Sequence, residues 1–108
     1  GKADLIVANF TSNTISIFRN TSSAGSVSYA AKIDLTSGTG TGYVAVGDLD
    51  GDGKLDLAVA NYTANTVSVF RNTSPGAGTI SYAARVNFTT GSNPRSVAIG
   101  DLDGDGKS

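Results

Sequence analysis

The chain of 108 residues is long enough for one domain with a modest core, and its formal net charge of −1 offers no broad basic surface for nucleic acid or an acidic membrane. Neither Cys nor His occurs, which removes disulfides, thiolate zinc sites and the usual neutral-pH general base. No apolar run is long enough to span a bilayer as a helix, so membrane insertion is not expected.

In chain order, strands are predicted in "ADLIVAN" from Ala3, "TISIFRN" from Thr14, "VSYAAKIDL" from Val27 and "YVAVGDL" from Tyr43. The same four then return as "LDLAVAN" from Leu55, "TVSVFRN" from Thr66, "ISYAARVNF" from Ile80 and "SVAIGDL" from Ser96. Each run is rich in β-branched and aromatic residues and is bounded by Gly, Asn, Asp, Ser or Thr. No window carries a helical period, and Glu and Gln are absent altogether. The copies are offset by 52 residues up to the "SSAG" and "SPGAG" loops and by 53 after them, so the chain is two versions of one unit.

The fold expected is therefore all-β, built of β-propeller blades of four antiparallel strands each. The small side chains of "VAVG" and "VAIG" suit the strand nearest the propeller axis, where blades approach one another. We divide the chain into a first repeat, residues 1–48 (three outer strands of one blade, then the inner strand of the next), and a second repeat, residues 49–101 (the rest of the complete blade, then an orphan inner strand). Residues 102–108 are a truncated metal loop. The first residue is Gly rather than Met, which leads us to expect an excerpt of a longer protein, natural or engineered. A two-blade fragment exposes apolar faces and unpaired edges. Head-to-tail homo-oligomerisation into a closed propeller is the expected remedy, with a tetramer favoured over a trimer.

All nine acidic residues are Asp, and all but Asp34 fall in, or align with, "DLDGDGKLD" from Asp48 and "DLDGDGKS" from Asp101. Carboxylates at alternate positions repel one another by roughly 1 kcal/mol per close pair in water, so a cation is expected between them. Ca²⁺ takes six to eight oxygens in a forgiving geometry, and Gly51 and Gly53 permit the tight turns that bring Asp48, Asp50 and Asp52 together. The Lys54 carbonyl and Asp56 would complete the cage. An EF-hand is excluded, because its twelfth loop position is Val59, inside a strand.

Asp-x-Asp-x-Asp-Gly-x-x-Asp between two strands, preceded by "SVAIGDL" and followed by "DLAVANYTANTVSVFRN", resembles the FG-GAP/VCBS-type repeat of integrin α-subunit propellers and of many bacterial surface proteins. That resemblance implies calcium ligands at Asp48, Asp50, Asp52, Asp56 and the Lys54 carbonyl. It carries the same roles to Asp101, Asp103, Asp105 and Lys107; because Asp4 aligns with Asp56, we expect Asp4 of an adjacent copy to supply the remaining ligand. The metal is expected to be structural, since no acid or base stands beside the ligands, and the protein is expected not to be an enzyme.

The turns at the opposite end of each blade gather Asn61, Tyr62, Thr63, Asn65, Asn93 and Arg95, amide and aromatic groups suited to a glycan or protein ligand. The main expectation is a non-catalytic scaffold or adhesion module that binds Ca²⁺ and its own copies. A carbohydrate-binding lectin propeller is the alternative.

Overall fold

The computed structural model describes residues 1–108 and contains seven strands and no helix. Strands β1 (Leu5–Asn9), β2 (Thr14–Phe18) and β3 (Ile33–Thr36) form one antiparallel sheet in that order. Strands β4 (Thr41–Gly47), β5 (Asp56–Asn61), β6 (Thr66–Phe70) and β7 (Val86–Thr89) form a second. Both are simple meanders, and each residue of β1–β3 has its sequence counterpart in β5–β7. The β1–β2 and β5–β6 turns pass through Asn13 (φ 58°) and Asn65 (φ 56°), a left-handed conformation that Asn tolerates better than most side chains.

Alternation decides which residues meet. On the second sheet Leu57 pairs with Phe70, and Val59 with Ser68, so these share one face. On the first sheet Ile17 pairs with Ile6 and Ile33, and Ile15 with Ala8 and Leu35. The two faces pack into one cluster of Ile15, Ile17, Leu57, Val59 and Phe70, flanked by Ile6, Ala8, Leu35 and Val44. Full burial of side chains such as Ile15, Leu57 and Val59 stabilises by about 1.5–3 kcal/mol each.

The core also contains a polar ladder. Asn61, fully buried, donates from Nδ2 to Thr66 Oγ1 (3.1 Å) and Ser68 Oγ (2.7 Å), and accepts at Oδ1 from Ser37 Oγ (3.0 Å) and the Gly38 amide (3.2 Å). Every polar atom of this side chain is satisfied, as burial demands. Because Ser37 and Gly38 follow the first sheet, these bonds tie the two sheets together.

Two strand assignments need correction. Residues 96–100, expected as a strand within "SVAIGDL", lie outside any strand because no neighbouring chain segment pairs with them. They nonetheless press on the second sheet: a Cβ added to Gly47 would stand 3.1 Å from Ile99 Cγ2, which accounts for glycine there. The runs "VSYAAKIDL" and "ISYAARVNF" are strands only in their second halves. Their first halves make isolated bridges, Asn20 to Tyr29 and Asn72 to Tyr82, in hydroxyl-rich loops such as that held by Thr73 and Ser81.

Candidate metal centre

The loop between β4 and β5 is shaped by its own carboxylates. Asp48 Oδ1 accepts the Gly51 amide and Oδ2 the Gly53 amide, both at 2.8 Å. The Gly53 bond above all holds the Asp48 carboxyl below the usual range; burial opposes it less strongly, and the Gly51 bond adds a further lowering. Asp50 Oδ1 accepts the Asp52 amide at 3.1 Å, and Asp52 Oδ1 the Lys54 amide at 2.9 Å. Gly51 and Gly53 stand at φ 81° and 84°, which only glycine adopts without strain.

Asp56 is the anchor. It is only 1 % exposed, yet both oxygens are engaged: Oδ2 accepts the Leu49 amide (2.8 Å) and Oδ1 the Asn72 amide (2.7 Å). One carboxylate thereby joins the start of the loop, the start of β5 and the end of β6. Charge-assisted bonds of this kind are about twice as strong as neutral ones, which makes burial of the charge tolerable. Asn72 adds a bond from Nδ2 to the Leu55 carbonyl (2.9 Å), and the Tyr82 hydroxyl donates to the same oxygen (3.1 Å). Burial first, then the charges of Asp56 and Asp4, push the Tyr82 hydroxyl pKa upward. Sequence reasoning passed over Asn72 and Tyr82. The available signal was their repetition as Asn20 and Tyr29.

Oxygens of Asp48, Asp50 and Asp56 converge within 4.8 Å of one another. Three hard anionic donors suit a hard divalent cation. Asp52, expected in the same cage, is outside that group, its Oδ1 turned to the Lys54 amide. In the second loop Asp101, Asp103 and Asp105 converge within the same limit. Asp101 repeats the Asp48 pattern, accepting the Gly104 and Gly106 amides at 2.8 Å, with its pKa lowered chiefly by the Gly106 bond. The Lys107 amide donates to Asp105 Oδ1 at 2.9 Å. Asp4 belongs to neither group: its Oδ1 accepts the Asn20 amide (2.8 Å), the counterpart of the Asn72–Asp56 bond.

At the opposite end of the sheets, the residues expected to bind a ligand divide into two kinds. Asn61 is consumed by the buried ladder, and Asn65 Oδ1 accepts the Asn93 amide (2.7 Å) while Asn93 Nδ2 donates to the Tyr62 carbonyl (3.2 Å). These amides build turns. The Thr63 amide donates to the Thr39 carbonyl (3.2 Å) across the sheets. Tyr62 carries the aromatic surface, with its ring centroid 6.1 Å from that of Phe10 and 5.2 Å from the Arg95 guanidinium carbon.

A family model described as FG-GAP-like repeat matches the chain twice, over residues 1–59 and 48–108. No curated protein matches the chain, and no solved structure does.

Proposed function

The chain belongs to the FG-GAP-like repeat family, and on that premise we propose that it is a calcium-stabilised, non-catalytic β-propeller module of adhesion type that acts outside the cell and assembles from its own copies. The observation that carries the metal reading is the convergence of Asp48, Asp50 and Asp56 at the junction of β4 and β5. Asp48, Asp50 and Asp56 would hold the ion, with Asp52 and the Lys54 carbonyl completing the oxygen set after rotation of the Asp52 side chain. A cation there offsets the mutual repulsion of the carboxylates and fixes the angle at which the innermost strand enters the sheet. Asp101, Asp103 and Asp105 would hold a second ion.

Calorimetry or circular dichroism tests this directly. At calcium a hundredfold above the dissociation constant, one site stabilises the fold by about 2.7 kcal/mol, which for a domain of this size raises Tm by roughly 10–20 °C. Asp50→Asn keeps the acceptor used by the Asp52 amide but removes a charged ligand. The variant is expected to melt like the parent in EDTA and to lose much of the calcium shift. A parent melting curve identical in EDTA and calcium overturns the reading.

The Tyr62, Phe10 and Arg95 cluster favours the carbohydrate reading as a second possibility, because exposed aromatic surface such as that of Phe10 beside a guanidinium donor is suited to a sugar ring. Glycan binding that free sugar competes away and that Tyr62→Ala abolishes would establish it.

A further inference from the structure

The contact between the two sheets has two halves, and both recur, uncovered, on the outside of the same molecule. Leu57, Val59 and Phe70 form one half and are all but inaccessible. Their counterparts in the first sheet, Leu5, Val7 and Phe18, lie on its outer face, where Leu5 is 47 % and Val7 41 % exposed. Ile15, Ile17 and Leu35 form the other half. Their counterparts Val67, Val69 and Phe88 lie on the outer face of the second sheet, where Phe88 is 55 % exposed.

Polar groups repeat the same asymmetry. Asp56 Oδ2 accepts the Leu49 amide, whereas Asp4 Oδ2 accepts nothing, and Leu102, the counterpart of Leu49, is 98 % exposed. Asn61 Oδ1 accepts from Ser37 and Gly38, whereas Asn9 bonds only through Nδ2, to Thr14 and Ser16. β4 pairs with β5, but β1 has no partner on its outer edge, and residues 95–100, the counterparts of part of β4, have no strand partner.

We propose that these two surfaces are the halves of one head-to-tail seam between copies of this chain, built on the plan of the contact already inside each copy. Residues 96–100 of one copy pair with β1 of the next in the register of β4 with β5, so that Ala98 faces Ile6 as Ala45 faces Ala58. The Leu102 amide then donates to Asp4 Oδ2, which brings Asp4 up to the Asp101 loop and completes the carboxylate group there. The apolar faces close over one another as Leu57 and Val59 close over Ile15 and Ile17. This rests on the blade reading above but not on its metal. Because the two surfaces differ, the interface is heterologous and propagates from copy to copy until a ring closes.

Two charge-introducing variants test the seam. Val7→Asp blocks one surface and Phe88→Asp the other, and both side chains are exposed in the single chain, so each variant is expected to fold. Light scattering should find the parent as a closed oligomer, each variant alone as a monomer, and their equimolar mixture as a dimer that grows no further, since one intact seam remains. The chain has no cysteine, so an equimolar mixture of the single variants Ile6→Cys and Ala98→Cys can crosslink only between molecules when oxidised, and reducible heterodimers are expected. A monomeric parent, whose faces would then be covered by other partners, or variants that still self-associate, overturns the proposal. Each measurement is made in calcium and in EDTA. Assembly that persists beside a calcium-insensitive melt removes only the metal reading, whereas monomers in both conditions remove the seam and self-assembly with it and leave the metal reading standing. Oligomers that still form from the Val7→Asp and Phe88→Asp variants remove this seam but not self-assembly.

Discussion

Asp4 and Asp56 stand at the same place in two copies of the same unit, yet one is exposed with a single amide partner and the other is buried with two. Nothing in the local sequence accounts for this, since "ADLIVAN" and "LDLAVAN" are nearly interchangeable. What differs is the neighbour. The second sheet has an innermost strand and the acidic loop that follows it, whereas the first has neither on its outer edge. Identical chemistry thus acquires opposite energetic weight from tertiary context, and paired substitutions at equivalent positions measure that weight.

The largest contrast is expected in the apolar faces. Leu57→Ala opens a cavity in a fully buried site and should cost about 3–4 kcal/mol by chemical denaturation. Leu5→Ala at the equivalent exposed site should cost under ~1 kcal/mol in the dissociated chain. Equal costs for the two in dissociated protein would mean that the outer face is covered within a single chain.

A somewhat smaller difference is expected at the carboxylates. Asp56→Ala leaves the part-buried Leu49 and Asn72 amides without their acceptor, a loss of about 2–3 kcal/mol in EDTA, where no metal contributes. Asp4→Ala removes one exposed bond and should cost at most about 1 kcal/mol. If Asp56→Ala proved harmless in EDTA, the carboxylate would serve the metal alone rather than the fold.

Much of this was legible in the sequence. The doubled pattern "ADLIVAN…TISIF" and "LDLAVAN…TVSVF" disclosed the repeat, the strands and their order, and "DLDGDGKLD" disclosed an acidic loop between two of them. Where reading failed, a partner was missing or a side chain had two possible uses. The alternation in "SVAIGDL" is that of a strand, but a strand exists only against another strand. Asn61 looked like a surface amide in a turn-rich segment and is instead wholly enclosed, because Ser37 and Gly38 from the other sheet reach it. Contacts of that range leave no local mark on the chain.

The glycines extend the comparison at intermediate size. A Cβ on Gly38 would stand 2.6 Å from Asn61 Cγ, and one on Gly91, its counterpart, would meet nothing within 4 Å. Gly38→Ala is therefore expected to cost about 1–3 kcal/mol by overpacking, and Gly91→Ala close to nothing in the dissociated chain. In the assembled ring Gly91 would face Asn9 as Gly38 faces Asn61, so Gly91→Ala should weaken assembly without lowering the stability of the single chain. A Gly91→Ala protein that assembles as tightly as the parent would place Asn9 elsewhere.

The smallest effect belongs to a place where the copies differ chemically. Asp34 on β3 corresponds to Asn87 on β7, and both accept the hydroxyl of the neighbouring Ser, at 2.6 Å from Ser16 and 2.7 Å from Ser68. Asp34 has in addition a 2.8 Å ion pair with Lys32. Those two bonds, Lys32 first and Ser16 second, lower its pKa. A carboxylate whose native pKa is depressed adds stability that is fully present above its unfolded value, about 3.9, and that is lost as pH falls through the lower native value. Asp34→Asn copies the second sheet onto the first and removes this contribution while keeping an acceptor for Ser16. The gap in Tm between parent and variant should be small, constant above about pH 5, and should shrink as pH falls below about 4. Because every other aspartate is common to both proteins, their titration cancels in the difference, so a gap that does not change with pH would show that the Lys32 pair contributes nothing to folding.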